Sequence, residues 1–367
     1  MSCKILKDVV LPVKSSLKLS DLETSGNYQV FGASGLVGYR KSFQTGKESV
    51  GVIKDGAGIG RVTILPKHSS VLGTMQILEP KEGISNSYLF FFLSHLNLGK
   101  SFTGSTIPHI YFKNYCKAQF PEISYKKQCE IAGKLKKISE LIGVKRKQET
   151  KLDSLVKSRF MEMFGDVLRN SKNFQTCHFG EYVYQMNIGP FGSDLKNDCF
   201  VPKELSACMV YEQKHAIEKT LNVPTRYISN EKYSHLKRFE IGPGDIIVSC
   251  RGTVGECWIL PEEAPKGIIH PSLMLIKPND AVNHEFLMYL LERILSEQTQ
   301  QGSGVKMAIR AKDLSKIVCI KPSREDQNHF IDFVHLVDKS RFVVQQEIKD
   351  LQELLDSKME EYFGGEE

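Results

Sequence analysis

The sequence lacks any apolar run near the ~18–20 residues that a membrane span needs. Its longest such cluster, Tyr88 to Leu93, is short and aromatic. The opening stretch, Met1-Ser2-Cys3-Lys4-Ile5-Leu6, holds no apolar segment long enough for a secretory signal. Nine cysteines are present, an odd number, and no two form a Cys-x-x-Cys pair. This argues against a disulfide framework and against a zinc ribbon. It predicts reduced, mostly buried thiols in a cytoplasmic protein with no membrane association.

Catalytic signatures are also missing. The Gly56-x-Gly58-x-Gly60 cluster lacks the Gly-Lys-Ser/Thr close of a phosphate loop, and a strand pattern follows where a nucleotide loop needs a helix. A tight turn with positive φ is the simpler reading. No Gly-x-Ser-x-Gly elbow occurs. Phe31-Gly32-Ala33-Ser34-Gly35 has a faint likeness to a methyl-donor loop, yet no Asn/Asp-Pro-Pro-Tyr/Phe tetrapeptide accompanies it. The ten histidines are scattered; His68, His109, His178 and His270 form no i, i+4 metal pair. No catalytic, cofactor-binding or metal-binding residue is therefore assigned, and the sequence does not read as an enzyme.

What is present is ordinary in bulk and unusual in arrangement. The 367 residues suggest two or three domains. At 41% hydrophobic and 25% charged the composition is globular. The net charge of +6 is too weak to prove a polyanion partner.

The chain repeats itself. One helical stripe runs through Ile131, Leu135, Ile138, Ile142, Leu152 and Val156; a second runs through Phe330, Val334, Val337, Val344, Ile348, Leu351 and Leu355. Adding 199 to Ile131, Leu135, Ile138, Leu152 and Val156 gives Phe330, Val334, Val337, Leu351 and Leu355. The same offset carries Gln128 to Gln327 and Phe164-Gly165 to Phe363-Gly364. Each helix is preceded by an apolar stretch, a Pro and a Ser suited to cap it, and each ends at Phe-Gly. Residues 126–159 hold eleven Lys/Arg against four Asp/Glu, whereas 324–361 hold five against ten. A helix of about 40 residues is roughly 60 Å long and needs a partner of similar length. The seams and the opposite charges predict an antiparallel coiled coil within the chain.

The segments ahead of the helices echo each other too. Residues 54–66 and 249–261 both read as strand, glycine-rich turn, strand, Leu-Pro. A further strand, a short apolar helix and a Gly-Ser loop follow in each. Asp55 with Glu79-Pro80-Lys81 loosely imitates a nuclease site, but Cys250 and Lys277-Pro278 stand at the equivalent positions. The expected fold class is α+β. It comprises two mixed α/β domains in pseudo-two-fold repeat, joined by two long antiparallel helices. The expected boundaries are 1–123, 124–165, 166–322 and 323–367. Cationic and small polar residues fall in turns of both modules. In the first these are Lys54, Arg61, Ser105, Thr106 and His109; in the second, Asn187, Ser193, Arg251, Thr253, Ser303, Lys306 and Arg310. Such residue types serve base and phosphate contacts.

Taken together, the whole chain resembles the DNA-specificity (S) subunit of type I restriction-modification systems. The resemblance rests on Asn187-Ile188-Gly189-Pro190-Phe191-Gly192-Ser193, the paired glycine turns, Pro322-Ser323…Gln327, and the two Phe-Gly-terminated helices. The first module lacks Gly-Pro-Phe-Gly-Ser; its Tyr28-Gln29-Val30-Phe31-Gly32-Ala33-Ser34-Gly35 is similar to the family's other type of recognition domain. The resemblance implies two target-recognition domains, each reading one half of a bipartite, asymmetric site on double-stranded DNA. It implies spacer helices that set the gap and dock two methyltransferase subunits, which restriction subunits join. It also implies that methyl donor and ATP bind the partners, leaving this chain without catalytic site or cofactor. The competing reading is a non-DNA scaffold of duplicated interaction domains on a coiled coil; a standalone nuclease or methyltransferase comes third.

Overall fold

The computed structural model describes residues 3–56, 58–100, 109–301 and 310–364, with the backbone alone at 298–301. It divides into two compact units, Met1–Glu149 with Phe342–Glu367, and Thr150–Arg341.

In the first unit β1 (Val10–Val13), β2 (Ser49–Ile53), β3 (Val62–Leu65) and β4 (Met75–Pro80) form an antiparallel sheet in the order β1-β4-β2-β3. Successive strand residues face opposite ways. Val50, Val52 and Leu78 therefore pack with Tyr88, Leu89 and Phe92 of α1 (Asn86–His95). Ile53, Met75 and Ile77 join a second core with Leu65 and Val71, against which Phe31 packs. That second core lies under a three-stranded sheet of Gly35–Arg40, Tyr28–Gly32 and Ser70–Val71, the last pair parallel.

The second unit repeats the plan. Strands β5 (Val183–Ile188), β6 (Ile246–Ser249), β7 (Cys257–Ile259) and β8 (Leu273–Pro278) take the order β5-β8-β6-β7, all antiparallel. Ile246 and Val248 face Phe286, Leu287 and Leu290 of α3 (His284–Gln301), while Ile247 faces Tyr211 and Ile268. Here the second sheet has five strands, again with one parallel pair, Cys208–Tyr211 with Gly267–Ile269. The second module is the longer one before Gly244, and that extra length supplies the added strands.

The long helices are α2 (Tyr125–Phe164) and α4 (Arg324–Phe363), each 40 residues. Ser124 Oγ accepts from the Lys127 amide at 3.3 Å and Ser323 Oγ from the Asp326 amide at 3.1 Å. A glycine amide closes each C-terminus, Gly165 on the Met161 carbonyl and Gly364 on the Glu360 carbonyl. The two glutamines tie the starts of the long helices to the starts of α1 and α3. Gln128 Oε1 accepts from the Ser85 amide at 2.9 Å, and its Nε2 donates to the Ile123 carbonyl at 3.0 Å. Gln327 Oε1 accepts from the Asn283 amide at 2.7 Å, and its Nε2 donates to the Pro322 carbonyl at 3.0 Å.

Within the first unit Ile131 and Leu135 share a core with Phe363, against which Leu355 packs. Within the second, Val156, Phe330, Val334 and Val337 share a core, with Leu152 packed on it. Ile138 and Leu351 are half-buried. Ion pairs also link the helices. In the first unit Lys145 Nζ meets Glu347 at 2.6 Å; in the second Arg341 Nη2 meets Asp153 at 2.9 Å. The second pair runs against the net charges, since its cation sits on the acidic helix. Half-exposed pairs like these contribute about 0.2–1 kcal/mol each, so the apolar cores dominate. The cysteines are less buried than expected: four are buried, three intermediate and two exposed. No helix among the described residues is long and apolar enough to cross a membrane.

Replacing Gln327 by Leu would leave the Asn283 amide and Pro322 carbonyl unpaired. The expected cost is about 2–3 kcal/mol. The urea midpoint, followed by the fluorescence of Trp258 in β7 (the chain's one tryptophan), reads it directly; an unchanged midpoint would contradict the assigned role.

Candidate nucleic-acid interface

Strand register brings the predicted turns to one sheet edge in each unit. In the first, Val13 pairs with Ile77 and Ile53 with Met75, so the C-ends of β1 and β2 flank the start of β4. The loops after β1 and β2 and the loop before β4 thus leave together. Gly73 N–H donates to the Leu17 carbonyl at 2.7 Å, and Lys54 N–H to the Thr74 carbonyl at 2.9 Å. In the second unit Ile188 pairs with Met274 and Ser249 with Leu273. Gly189 N–H donates to the Leu273 carbonyl at 2.9 Å, and Cys250 N–H to the Ser272 carbonyl at 2.8 Å.

On the first edge the glycine turn is a tight reversal, as expected, with positive φ at Gly56, Gly58 and Gly60. Gly60 is obligatory, because a Cβ there would lie 2.1 Å from the Gly99 amide nitrogen. Lys54 opens the turn, and its carbonyl accepts from the Ile110 amide at 2.9 Å. His109 Nδ1 lies 2.6 Å from Asp55 Oδ1, tying the next segment to the same turn. Arg61 is exposed, and its Nη1 donates to the Ala33 carbonyl at 3.4 Å. Lys54, Arg61 and His109 are therefore brought together. Ser105 and Thr106 lie outside the described residues.

On the second edge Arg251 and Thr253 are exposed in the turn between β6 and β7. Gln213 Nε2, at the start of the short helix Gln213–Glu218, braces that turn, donating to the Arg251 carbonyl at 2.6 Å and the Thr253 carbonyl at 3.0 Å. Ser249 Oγ also donates to the Thr253 carbonyl, at 2.6 Å. Glu212, the residue before Gln213, is itself fixed. The Glu212 amide donates to Nδ1 of the fully buried His215 at 2.9 Å, and Arg226 Nε donates to Glu212 Oε1 at 3.0 Å. Burial works against the Glu212 charge, but its bonds to Arg226 and Lys214 outweigh that and hold the carboxyl below its usual range. Asn187 sits half-buried in β5 opposite Leu275, and Ser193 is exposed just beyond it. Arg310 is exposed at the N-cap of the short helix Ala311–Leu314, which packs against β5. Ser303 and Lys306 lie outside the described residues.

Sequence reasoning missed several residues on these edges. Lys14 and Lys18, both exposed, follow β1 on the first edge. Gln213, Arg226 and His270 support the second. None carries a local pattern; only the register of distant strands reveals them. Among the described residues no group of three or more His, Cys, Asp or Glu is placed to hold a metal ion.

Two copies of one α+β unit, each with a loop edge on the same strand order and each tied to a 40-residue helix, define a duplicated-module protein. The profile of the family described as Type I restriction modification DNA specificity domain matches twice, over residues 4–154 and 210–353. The chain belongs to that family. It is similar to the S subunit of a type I restriction-modification system from M. genitalium, at 16% identity and a TM-score of 0.50, covering 100% of this chain and 96% of that one. It is also similar to a chain solved for the complex assembly and conformational transition of the type I R-M system, at 14% identity and a TM-score of 0.60, covering 99% and 97%. At such identities the likeness is one of fold. No curated protein matches.

Burial lowers the proton affinity of both His215 and His270 below the ordinary imidazole value. A depressed folded-state value means that the unfolded chain takes up protons first. The neutral rings therefore stabilise the second unit above about pH 6.5 and cease to do so as pH falls below it. The urea midpoint read by Trp258 is expected to drop between pH 7.5 and 5.5, and to drop less in His215→Gln. Equal slopes in the two proteins would contradict this.

Proposed function

We propose that the chain is the non-catalytic DNA-recognition subunit of a type I restriction-modification complex. Two recognition domains, 1–123 and 166–322, each read one half of a bipartite, asymmetric site on double-stranded DNA. The helices of 124–165 and 323–367 pair as an antiparallel coiled coil and set the unread gap. They also dock the methyltransferase subunits, two per chain, which restriction subunits join; methyl donor and ATP bind those partners. The complex works in the cytoplasm.

The observation that carries this reading is the repeated loop edge. Two units keep one strand order and one bond from the residue after the second strand to the loop before the last, Lys54 to Thr74 and Cys250 to Ser272, yet present different side chains. That suits a scaffold held constant while its reading surface varies. On these edges Lys54 and Arg61 on one side, and Arg251 and Thr253 on the other, are the proposed DNA contacts. Asn187, Ser193, His109 and Arg310 support them, with Ser105, Thr106, Ser303 and Lys306 in the adjoining loops. Exposed apolar residues on the helices support the docking role: Leu141, Val144, Phe342 and Val343 in the first unit, Leu155 and Leu336 in the second. Family membership supports both.

Arg251→Ala tests the reading. An exposed guanidinium on a braced turn can be removed without touching the core. In the complex with methyltransferase subunits, discrimination should fall about 10–100-fold for one half-site and stay unchanged for the other. Competition binding at fixed salt against duplexes scrambled in either half measures it. Unchanged affinity and discrimination would remove Arg251 from the interface.

A further inference from the structure

Phe191 is the most exposed large apolar side chain among the described residues, at 77%. It stands in the loop that follows β5, on the same edge as the Arg251 turn. The ring is not exposed because its loop is loose. Gly189 ahead of it is held by the Leu273 carbonyl, and a Cβ there would lie 2.3 Å from the His270 carbonyl oxygen. Pro190 is buried and fixes its own φ. Behind the ring, the Asp194 amide donates to the Phe191 carbonyl at 2.9 Å, and Leu195 is anchored in the core of the five-stranded sheet. A loop fixed on both sides holds the Phe191 backbone at the edge, with its ring in water.

The surroundings select the partner. Gly192 and Ser193, next in the chain, are small and exposed, and a Cβ on Gly192 would meet nothing within 4 Å. Another backbone can come close there. Arg251 shares the edge, and Lys196 lies exposed a few residues on. A protein interface would bury the ring within an apolar patch depleted of charge. An exposed ring beside small polar residues, on an edge that also carries Arg251 and Lys196, instead fits a stacked polyanion. Apolar side chains that enter a duplex unstack a base step, and the bend that results extends the contact.

We propose that Phe191 is a wedge that enters the base stack of the half-site read by the second unit. This rests on the reading of that edge as a DNA interface. Both can be tested with one set of reagents. A duplex is first selected from a randomised pool by the wild-type chain assembled with methyltransferase subunits. It is then remade with 2-aminopurine at successive steps of each half-site. Wild type should raise the fluorescence at one step of the second unit's half. Phe191→Ala should abolish that rise and weaken binding about 10-fold or more. Phe191→Trp should retain both, and a mismatch at the unstacked step should restore binding by Phe191→Ala. Because the ring is exposed, the urea midpoint read by Trp258 should not move. Equal affinity and an equal fluorescence rise in Phe191→Ala would overturn the wedge while leaving the DNA reading intact. Loss of the methyltransferase subunits from the Phe191→Ala complex, with DNA affinity per assembled complex unchanged, would overturn it in favour of a protein contact. If the wild-type complex selects no duplex, both readings fall.

Discussion

A 40-residue helix cannot bury its own apolar stripe, and each sheet unit cannot complete its own core. Each solves the other's problem. Phe363, at the end of α4, lies 5.0 Å from Tyr88 and 5.9 Å from Phe92, ring centre to ring centre, in the core of the first unit. Phe164, at the end of α2, lies 5.0 Å from Phe286 and 5.7 Å from Phe330 in the second. Burying one such ring contributes about 1.5–3 kcal/mol, several times a half-exposed ion pair. Aromatic closure, rather than charge, therefore decides where the helix ends go. It also makes the first unit discontinuous, since Phe342–Glu367 folds with Met1–Glu149.

The loop edges depend on that closure in turn. Gln128 and Gln327 tie the start of each helix to the start of α1 or α3, which covers one face of the four-stranded sheet. The sheet's register sends three loops out at one edge. A side-chain bond then braces each glycine turn, Arg61 reaching the Ala33 carbonyl in one unit and Gln213 reaching the Arg251 carbonyl in the other. The bond leaves the turn in one unit and enters it in the other, with a different side chain each time. On the proposed reading, this lets the surface change its bases without changing its frame.

The helices and their ends were legible because their signals are local and doubled. The offset of 199 carries Tyr125–Phe164 onto Arg324–Phe363 without a slip. The glycine turns were legible for the same reason. The edge partners were not, because Lys18 or Gln213 acquires its place only through pairing of strands far apart in sequence. Charge misled to a degree. The opposite net charges of the helices predicted broad ionic complementarity, whereas Arg341 with Asp153 runs the other way and the seam is closed mainly by Phe330, Val334 and Leu135. The Asn187–Ser193 stretch carried the family likeness, but Phe191 within it stood out only once its exposure was known.

The central claim is that two reading surfaces share one pair of helices that fixes the gap between their half-sites. Inserting one heptad into both α2 and α4, then mapping the site bound by the assembled complex, tests it most directly. The account predicts a longer unread gap between two unaltered half-sites. An unaltered gap, or new bases in either half, would contradict it.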